Sequence, residues 1–321
     1  MALLPALIAF GVTWLAIRLL LAHATHLPLD RPNARSLHAD AMPRTGGLAV
    51  LAGWLAGTVW LPGAKPWLGP LGALVVVSLL DDRRSIHPAL RLAVHFGAAA
   101  AWVWLVPTPL DAVSSVLLIV WMINLYNFMD GSDGLAGAMA LIGFAAYTAG
   151  AWMAGSAMTG VLAALAAANA AFLTHNAPPA RIFLGDAGSV PLGFLAASLG
   201  FVGWTERWWP AWFPLLVFLP FVSDASITLL LRLIRGARVW QAHRDHGYQH
   251  LVQLGWGHAR TLGLYAALMA ACAASAVAVL AWSPRLGVPA LALWAAVLAS
   301  VYAVIEYHWR RRGAALEESK G

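Results

Sequence analysis

The sequence predicts an all-α integral membrane protein: a single polytopic domain over residues 1–321, with about eleven transmembrane helices, a periplasmic N-terminus and a cytoplasmic C-terminus. Three observations predict it. Hydrophobic residues make up 61% of the chain and charged ones only 11%, against about 25% charged in an ordinary soluble domain. Mean hydropathy is +0.72, which excludes a disordered, fibrous or soluble globular chain. The apolar residues also fall into runs near the ~20 residues that a spanning helix needs.

In chain order the runs are 2–22, 45–62, 67–81, 89–107, 113–129, 134–153, 157–175, 187–204, 208–234, 260–282 and 288–309. The first ends in Ala22-His23-Ala24, which looks like a cleavage site, but residues 1–10 contain no Lys or Arg. A signal peptide needs that basic start, so the run reads as an uncleaved span. The third and fifth runs are short. Pro220 is expected to bend the ninth. Cys272, the single cysteine, lies in an Ala-rich run and reads as packing; one cysteine excludes a disulfide framework and a cysteine-based metal site.

Eleven spans put the termini on opposite sides, and basic residues decide which. With the N-terminus outside, only Lys65, Arg207 and Arg285 fall in outer loops, and Arg18 lies within the first span. The rest of the 20 Lys and Arg residues face the cytoplasm. The net charge of +6 therefore reports topology, and no nucleic-acid partner is expected. Trp204, Trp208, Trp209 and Trp212 are expected as an aromatic belt at the outer interface. The tail, 309–321, is expected in the cytoplasm, either resting Arg310, Arg311 and Arg312 on anionic headgroups or disordered.

The acids gather on the cytoplasmic side. Asp81-Asp82 end the third span; Asp130 and Asp133 lie in Asn124-Leu-Tyr-Asn127-Phe-Met-Asp130-Gly-Ser-Asp133-Gly-Leu-Ala136; Asp186 lies in Phe183-Leu-Gly185-Asp186-Ala-Gly188-Ser189. Adjacent carboxylates at the end of an apolar run call for a cation, either Arg83 and Arg84 or a divalent metal. Three carboxylate clusters on one face suggest magnesium, a hard cation that prefers oxygen ligands and substrate phosphates, with manganese as a substitute. Gly131, Gly134, Gly185 and Gly188 flank the acids and suit close approach of a phosphate, though glycine also serves ordinary turns. His243, His246 and His250 are spaced i, i+3, i+7, one face if helical. A zinc site and a lipid-touching basic loop were weighed against phosphate binding by these histidines with Arg244 and Arg44, which the Arg- and carboxylate-rich surroundings favour. Asp224 is the one acid well inside a run, and it reads equally as a structural partner or a site residue.

Asp130-x-x-Asp133-Gly-x-x-Ala136 matches the start of the CDP-alcohol phosphotransferase signature. That signature continues with Arg where this chain has Gly137, and its two further acids are missing before Asp186.

Taken in order, Arg31-Pro-Asn33-x-Arg35-Ser-x-His38, Asp81-Asp82, Asn127-x-x-Asp130-Gly-x-Asp133-Gly-Leu, Phe183-x-Gly-Asp186-x-Gly-Ser and the His loop resemble the polyprenyl-phosphate N-acetylhexosamine-1-phosphate transferases over nearly the whole chain. The resemblance implies phosphoryl transfer from a UDP-N-acetylamino sugar to undecaprenyl phosphate at the cytoplasmic face of a bacterial inner membrane. It implies magnesium on Asp186 with Asp81 or Asp82, a positioning or base role for Asp81 or Asp82, and a catalytic His246. Asp133, Asn176 and Phe183 match positions used around the uracil, and Asn127 and Asp130 line the same cavity. A membrane groove would lead the isoprenoid tail to Asp81-Asp82, and a homodimer is compatible.

The family's His motif carries over at His246 but poorly at His243 and His250, since Tyr248 and Gln249 stand where two histidines would be. The His-Arg-x-His-x-Tyr-Gln pattern resembles the branch that initiates O-antigen, part of lipopolysaccharide, with N-acetylfucosamine or N-acetylquinovosamine; N-acetylglucosamine is the other candidate. The rival class is a transporter or lipid carrier, which would want charges near the bilayer midplane and repeated halves.

Overall fold

The computed structural model describes residues 2–23, 29–30, 42–61, 65–84, 86–238 and 243–318. The motif from Arg31 to His38, Ser85 and Lys320 lie outside the described residues, as does the side chain of Arg83.

The chain is all-α apart from one antiparallel pair of two-residue strands, β1 (Leu29–Asp30) and β2 (Met42–Pro43). Every apolar run carries helix. These are α1 (Leu3–Ala22), α2 (Gly46–Thr58), α3 (Lys65–Arg84), α4 (Pro88–Leu105), α5 (Ala112–Phe128), α6 (Leu135–Met153), α7 (Thr159–Asn176), α8 (Asp186–Thr205), α9 (Trp212–Val217) with α10 (Leu219–Ile234), α12 (Gly257–Trp282) and α13 (Gly287–Glu318). The short α11 (Gly247–Leu251) and a π-helical turn, Val252–Trp256, precede α12. Among the described residues six helices are long and apolar enough to cross a membrane. They are α1, α4, α6, α8, the stretch Gly247–Trp282 and the stretch Pro284–Arg312, with α2 and α5 as shorter apolar helices.

Two expectations about the helices need correcting. The ninth run is two helices, because the chain breaks at Phe218 and restarts with Pro220 in the first turn of α10, where a missing N–H costs nothing. The tail is helical through Glu318 as a continuation of α13, so neither a separate tail nor a disordered one begins at 309.

The core lies around α8. Of its apolar span 83% is buried, against 22% for α1 and 17% for Pro284–Arg312. α8 packs on α5 and α3, while α1 packs on α7 and α2, and α6 on α7. Three buried indoles donate their N–H: Trp54 to the Val161 carbonyl at 3.2 Å, Trp67 to Ser198 Oγ at 2.8 Å, Trp209 to the Gly200 carbonyl at 3.1 Å, while the buried Trp102 Nε1 has no partner among the described residues. This corrects the aromatic belt at two of its four residues, Trp204 and Trp208 being half-buried. Trp209 and Trp212 are buried, and Trp209 packs on Tyr147 and Phe213 with ring centroids 4.9 and 5.0 Å apart. Trp14 within α1 and Trp256 before α12 are exposed, and four further exposed tryptophans stand just past α2 (Trp60) and at the ends of α4 (Trp104), α6 (Trp152) and α12 (Trp282). In the expected topology these ends share the outer side.

Candidate active site

The first half of the site is a backbone crossing. The Phe183 N–H donates to the Pro43 carbonyl at 2.8 Å, and the Gly46 and Gly47 N–H groups donate to the Phe183 and Leu184 carbonyls at 2.9 Å each. The approach is close enough to demand glycine. A Cβ on Gly47 would lie 2.2 Å from the Gly188 Cα, and Gly185, at φ +71°, would place one 2.3 Å from the Arg44 carbonyl oxygen. The glycines around Asp186 therefore serve this crossing, which delivers Arg44 from the start of α2 to the end of α3. Gly131 has a similar role, since a Cβ there would meet the Tyr248 hydroxyl at 2.3 Å.

Three carboxylates meet at that point, two guanidiniums among them. Arg44 Nη2 lies 3.1 Å from Asp82 Oδ1. Arg91, in the first turn of α4, donates Nη1 to Asp81 Oδ2 at 2.6 Å and Nη2 to Asp186 Oδ2 at 2.9 Å. Asp81 Oδ1 accepts the Ile86 N–H at 2.7 Å. Asn127, in the last turn of α5, donates Nδ2 to Asp186 Oδ1 at 3.1 Å and to Ser189 Oγ at 2.9 Å. Among the described residues the cations beside the aspartate pair are thus Arg44 and Arg91, where the sequence had pointed to the neighbours Arg83 and Arg84. Burial pushes the Asp82 carboxyl up to about 6; Arg44 opposes the shift, and the charges of Asp186 and Asp81 add to it.

The second half brings together Asp133, Asn176 and the loop 180–182 that precedes Phe183. Asn176 Oδ1 accepts the Gly134 N–H at 3.0 Å and its Nδ2 donates to the Ile182 carbonyl at 2.9 Å. Asp133 Oδ2 accepts the Ala180 N–H at 3.0 Å, with His258 Nδ1 3.8 Å from Oδ1. Asn176 thereby ties the entrance of α6 to the loop before α8. Asp130 is half-buried in the same turn.

The His loop closes on this turn. The Tyr248 hydroxyl donates to the Phe128 carbonyl at 3.0 Å. His246 is buried, with its ring 6.1 Å from Phe128 and 4.9 Å from His243. The three histidines do not share one helical face, because α11 starts only at Gly247. His250 turns toward α13, stacked on Trp309 at 4.3 Å with Nδ1 3.5 Å from Glu306. Burial, with His246 and Arg232 adding to it and Asp245 opposing, pushes His243 down to about 4. A ring held that low is neutral near pH 7. Arg244 is half-buried with its Nε shielded and unpartnered, and Arg232 pairs with Asp245.

Residues 67–203, from α3 through α8, match glycosyl transferase family 4. The probable undecaprenyl-phosphate N-acetylglucosaminyl 1-phosphate transferase of Bacillus subtilis (strain 168) is 26% identical, covering 72% of this chain and 71% of that protein. The decaprenyl-phosphate N-acetylglucosaminephosphotransferase of Mycobacterium leprae (strain TN) is 28% identical over 87% of this chain and 83% of its own. The undecaprenyl-phosphate alpha-N-acetylglucosaminyl 1-phosphate transferase of Escherichia coli (strain K12) is 26% identical over 71% and 70%. The family match and these relatives support the resemblance to the polyprenyl-phosphate N-acetylhexosamine-1-phosphate transferases.

Asp81, Asp82 and Asp186 come together in the structure, while Arg91, Ser189, Phe128, His258 and the partners of Asp224 are not singled out by the sequence. For Arg91 a signal existed: it stands ten residues beyond Asp81 at the start of the next helix, which returns it to the aspartate pair. The donor chemistry suits a hard cation, because the three carboxylates outnumber the two guanidiniums among them and Asp82 is left poorly compensated. Among the described residues no group of three His, Cys, Asp or Glu is already spaced as a metal cage, and Arg91 holds one oxygen each of Asp81 and Asp186.

Proposed function

We propose that this protein transfers an N-acetylamino-sugar-1-phosphate from a UDP-sugar to a polyprenyl phosphate, undecaprenyl phosphate in a bacterial inner membrane, at the cytoplasmic face. The observation that carries the reading is the convergence of Asp81, Asp82 and Asp186, from two separate motifs, around Arg44, Arg91 and Asn127.

In the reaction a phosphate oxygen of the lipid attacks the β-phosphorus of the donor. The bond from that phosphorus to the oxygen bridging it to the α-phosphorus breaks, UMP leaves with the electron pair, and a polyprenyl-diphospho-sugar forms. A phosphate monoester is largely ionised at neutral pH, so the lipid needs positioning and charge neutralisation more than a base. Arg44 supplies positive charge beside Asp82. Arg91, if it leaves either carboxylate, is placed to meet an incoming phosphate. Asp186 with Asp81 or Asp82 would hold magnesium, or manganese in its place; the ion would offset the charge of the diphosphate. Asp133, Asn176 and Phe183 would take the uracil, with Asn127 and Asp130 beside them. His246, with His243 and Arg244, faces the same turn and would bind phosphate oxygens. His250, held by Trp309 and Glu306, contributes to the packing of that loop.

The printed names of the relatives all specify N-acetylglucosamine, which makes UDP-N-acetylglucosamine the first donor to offer. N-acetylfucosamine and N-acetylquinovosamine donors, and with them an O-antigen role, rest on the loop sequence at His243–Gln249. The test is transfer of label from these UDP-sugars to undecaprenyl phosphate by the purified protein. Product that EDTA abolishes and magnesium restores is expected, and the preferred donor sets the branch. No product from any donor, with folded protein and lipid present, turns the reading toward a transporter or lipid carrier.

A further inference from the structure

Asp224 lies in α10, 4% exposed, in the middle of an apolar run. A carboxylate without water stays ionised only where donors replace its hydration, and here they converge on both oxygens. Oδ1 accepts the Gly247 N–H at 2.9 Å and the Thr228 hydroxyl at 3.3 Å. Oδ2 accepts the Tyr248 N–H at 3.2 Å and the Tyr265 hydroxyl. His246 Nδ1, buried and without a hydrogen bond of its own among the described residues, lies 3.4 Å from Oδ1.

These donors have a common address. Gly247 and Tyr248 are the first two residues of α11, and His246 is the residue that precedes it. The His246 N–H is itself taken by Gln249 Oε1 at 3.2 Å. The His246 ring lies between Phe128, at 6.1 Å and 28°, and Tyr248, at 5.9 Å and 15°. Stacking thus sets the plane of the ring, and the carboxylate sets which nitrogen points which way. An acceptor on one imidazole nitrogen places the proton there and leaves the other free.

We propose that Asp224 is a positioning residue for His246: it takes the proton of Nδ1 as a hydrogen bond, fixes the ring, and leaves Nε2 as the nitrogen that, once it too carries a proton, donates to the substrate phosphate. Its kinetic consequence rests on the transferase reading; its geometric content does not.

The test begins with the whole protein in nanodiscs, labelled with ¹⁵N-histidine and free of substrate, the His246 signals being assigned by their loss in His246→Gln. Wild-type protein should show a protonated Nδ1 on His246. A bare Nδ1 overturns the proposal whether or not any variant folds. In Asp224→Asn, whose amide no longer favours that proton, the Nδ1–H signal should be lost. The kcat for transfer to undecaprenyl phosphate should fall at least tenfold, with the KM for the UDP-sugar within threefold of wild type. Folded Asp224→Asn with the wild-type kcat, or a retained Nδ1–H, overturns it. If wild-type protein shows no transfer at all, the transferase reading fails, and the ¹⁵N result still decides the role of Asp224.

Discussion

Asn127 donates its side-chain amide to Asp186 at 3.1 Å, joining residues 59 positions apart, and the same nitrogen reaches Ser189 at 2.9 Å. Asp186 opens α8, whose apolar span is 83% buried, and this bond holds it against the last turn of α5. Asn127→Ala removes the donor and frees the carboxylate to swing. Loss of such a supporting bond typically costs about 10- to 100-fold in activity. We expect that loss in initial rates of label transfer, with the melting temperature nearly unchanged. Asn127→Asp should lose more, because it sets a fourth carboxylate beside Asp186. Equal activity in both variants and wild type would remove Asp186 from the site.

Arg91 bridges Asp81 and Asp186 with two separate nitrogens. Lysine has one ammonium and cannot reproduce a planar fork. Arg91→Lys should therefore retain the charge and still lose at least tenfold in kcat. Arg91→Gln frees both oxygens and raises the local negative charge by one. If Asp186 and the aspartate pair hold the metal, this variant should reach half its own maximal rate at a lower magnesium concentration than wild type. A requirement that rises instead would place the metal elsewhere.

What the sequence disclosed and what it hid divide along a physical line. The helices were legible because apolar runs of spanning length have few other uses in a chain with 11% charged residues. Asp81, Asp82, Asp130, Asp133 and Asp186 were legible because acids are conspicuous against that background. Pairings across the chain were not: Arg91 is one cation among many on the cytoplasmic side, and nothing local joins it to a residue 95 positions away. Trp209 and Trp212 were assigned to the interface because a buried aromatic cluster and an interfacial belt are spelled the same way. The glycines near Asp186 were read for phosphate, since a gap left for a ligand and a gap left for another backbone require the same residue. His250 followed the spacing rule for a helix that had not yet begun at His243.

Gly47 and Gly188 supply the stability test of that crossing. A Cβ on Gly47 would meet the Gly188 Cα at 2.2 Å and the Gly188 nitrogen at 2.5 Å, and neither atom can rotate away. Overpacking in a tight core costs about 1–3 kcal/mol, and Gly47→Ala should reach or exceed that in thermal melts. It should also lower activity, because Arg44 rides on the same segment. Gly69→Ala in α3 is the control: nothing lies within 4 Å of its Cβ position, and alanine favours helix by roughly 0.5–1 kcal/mol. Matching losses in the two variants would refute the packing account.

His243 gives the fold a pH dependence of predictable sign. Burial holds its imidazole down at about 4, against 6.5 when free. The unfolded chain therefore takes up this proton near pH 6.5, while the folded protein resists until about pH 4. Stability that is whole above 6.5 is lost as pH falls through that window, since the unfolded state binds more protons there. His243→Gln removes the titration and keeps a polar side chain. The melting temperature of wild type minus that of His243→Gln should shrink as pH falls from 7 to 4.5 in the same detergent. Curves that stay parallel would mean that His243 titrates alike in the folded and unfolded chain, which refutes the burial account, and a difference that grows as pH falls would mean a His243 charged in the folded protein.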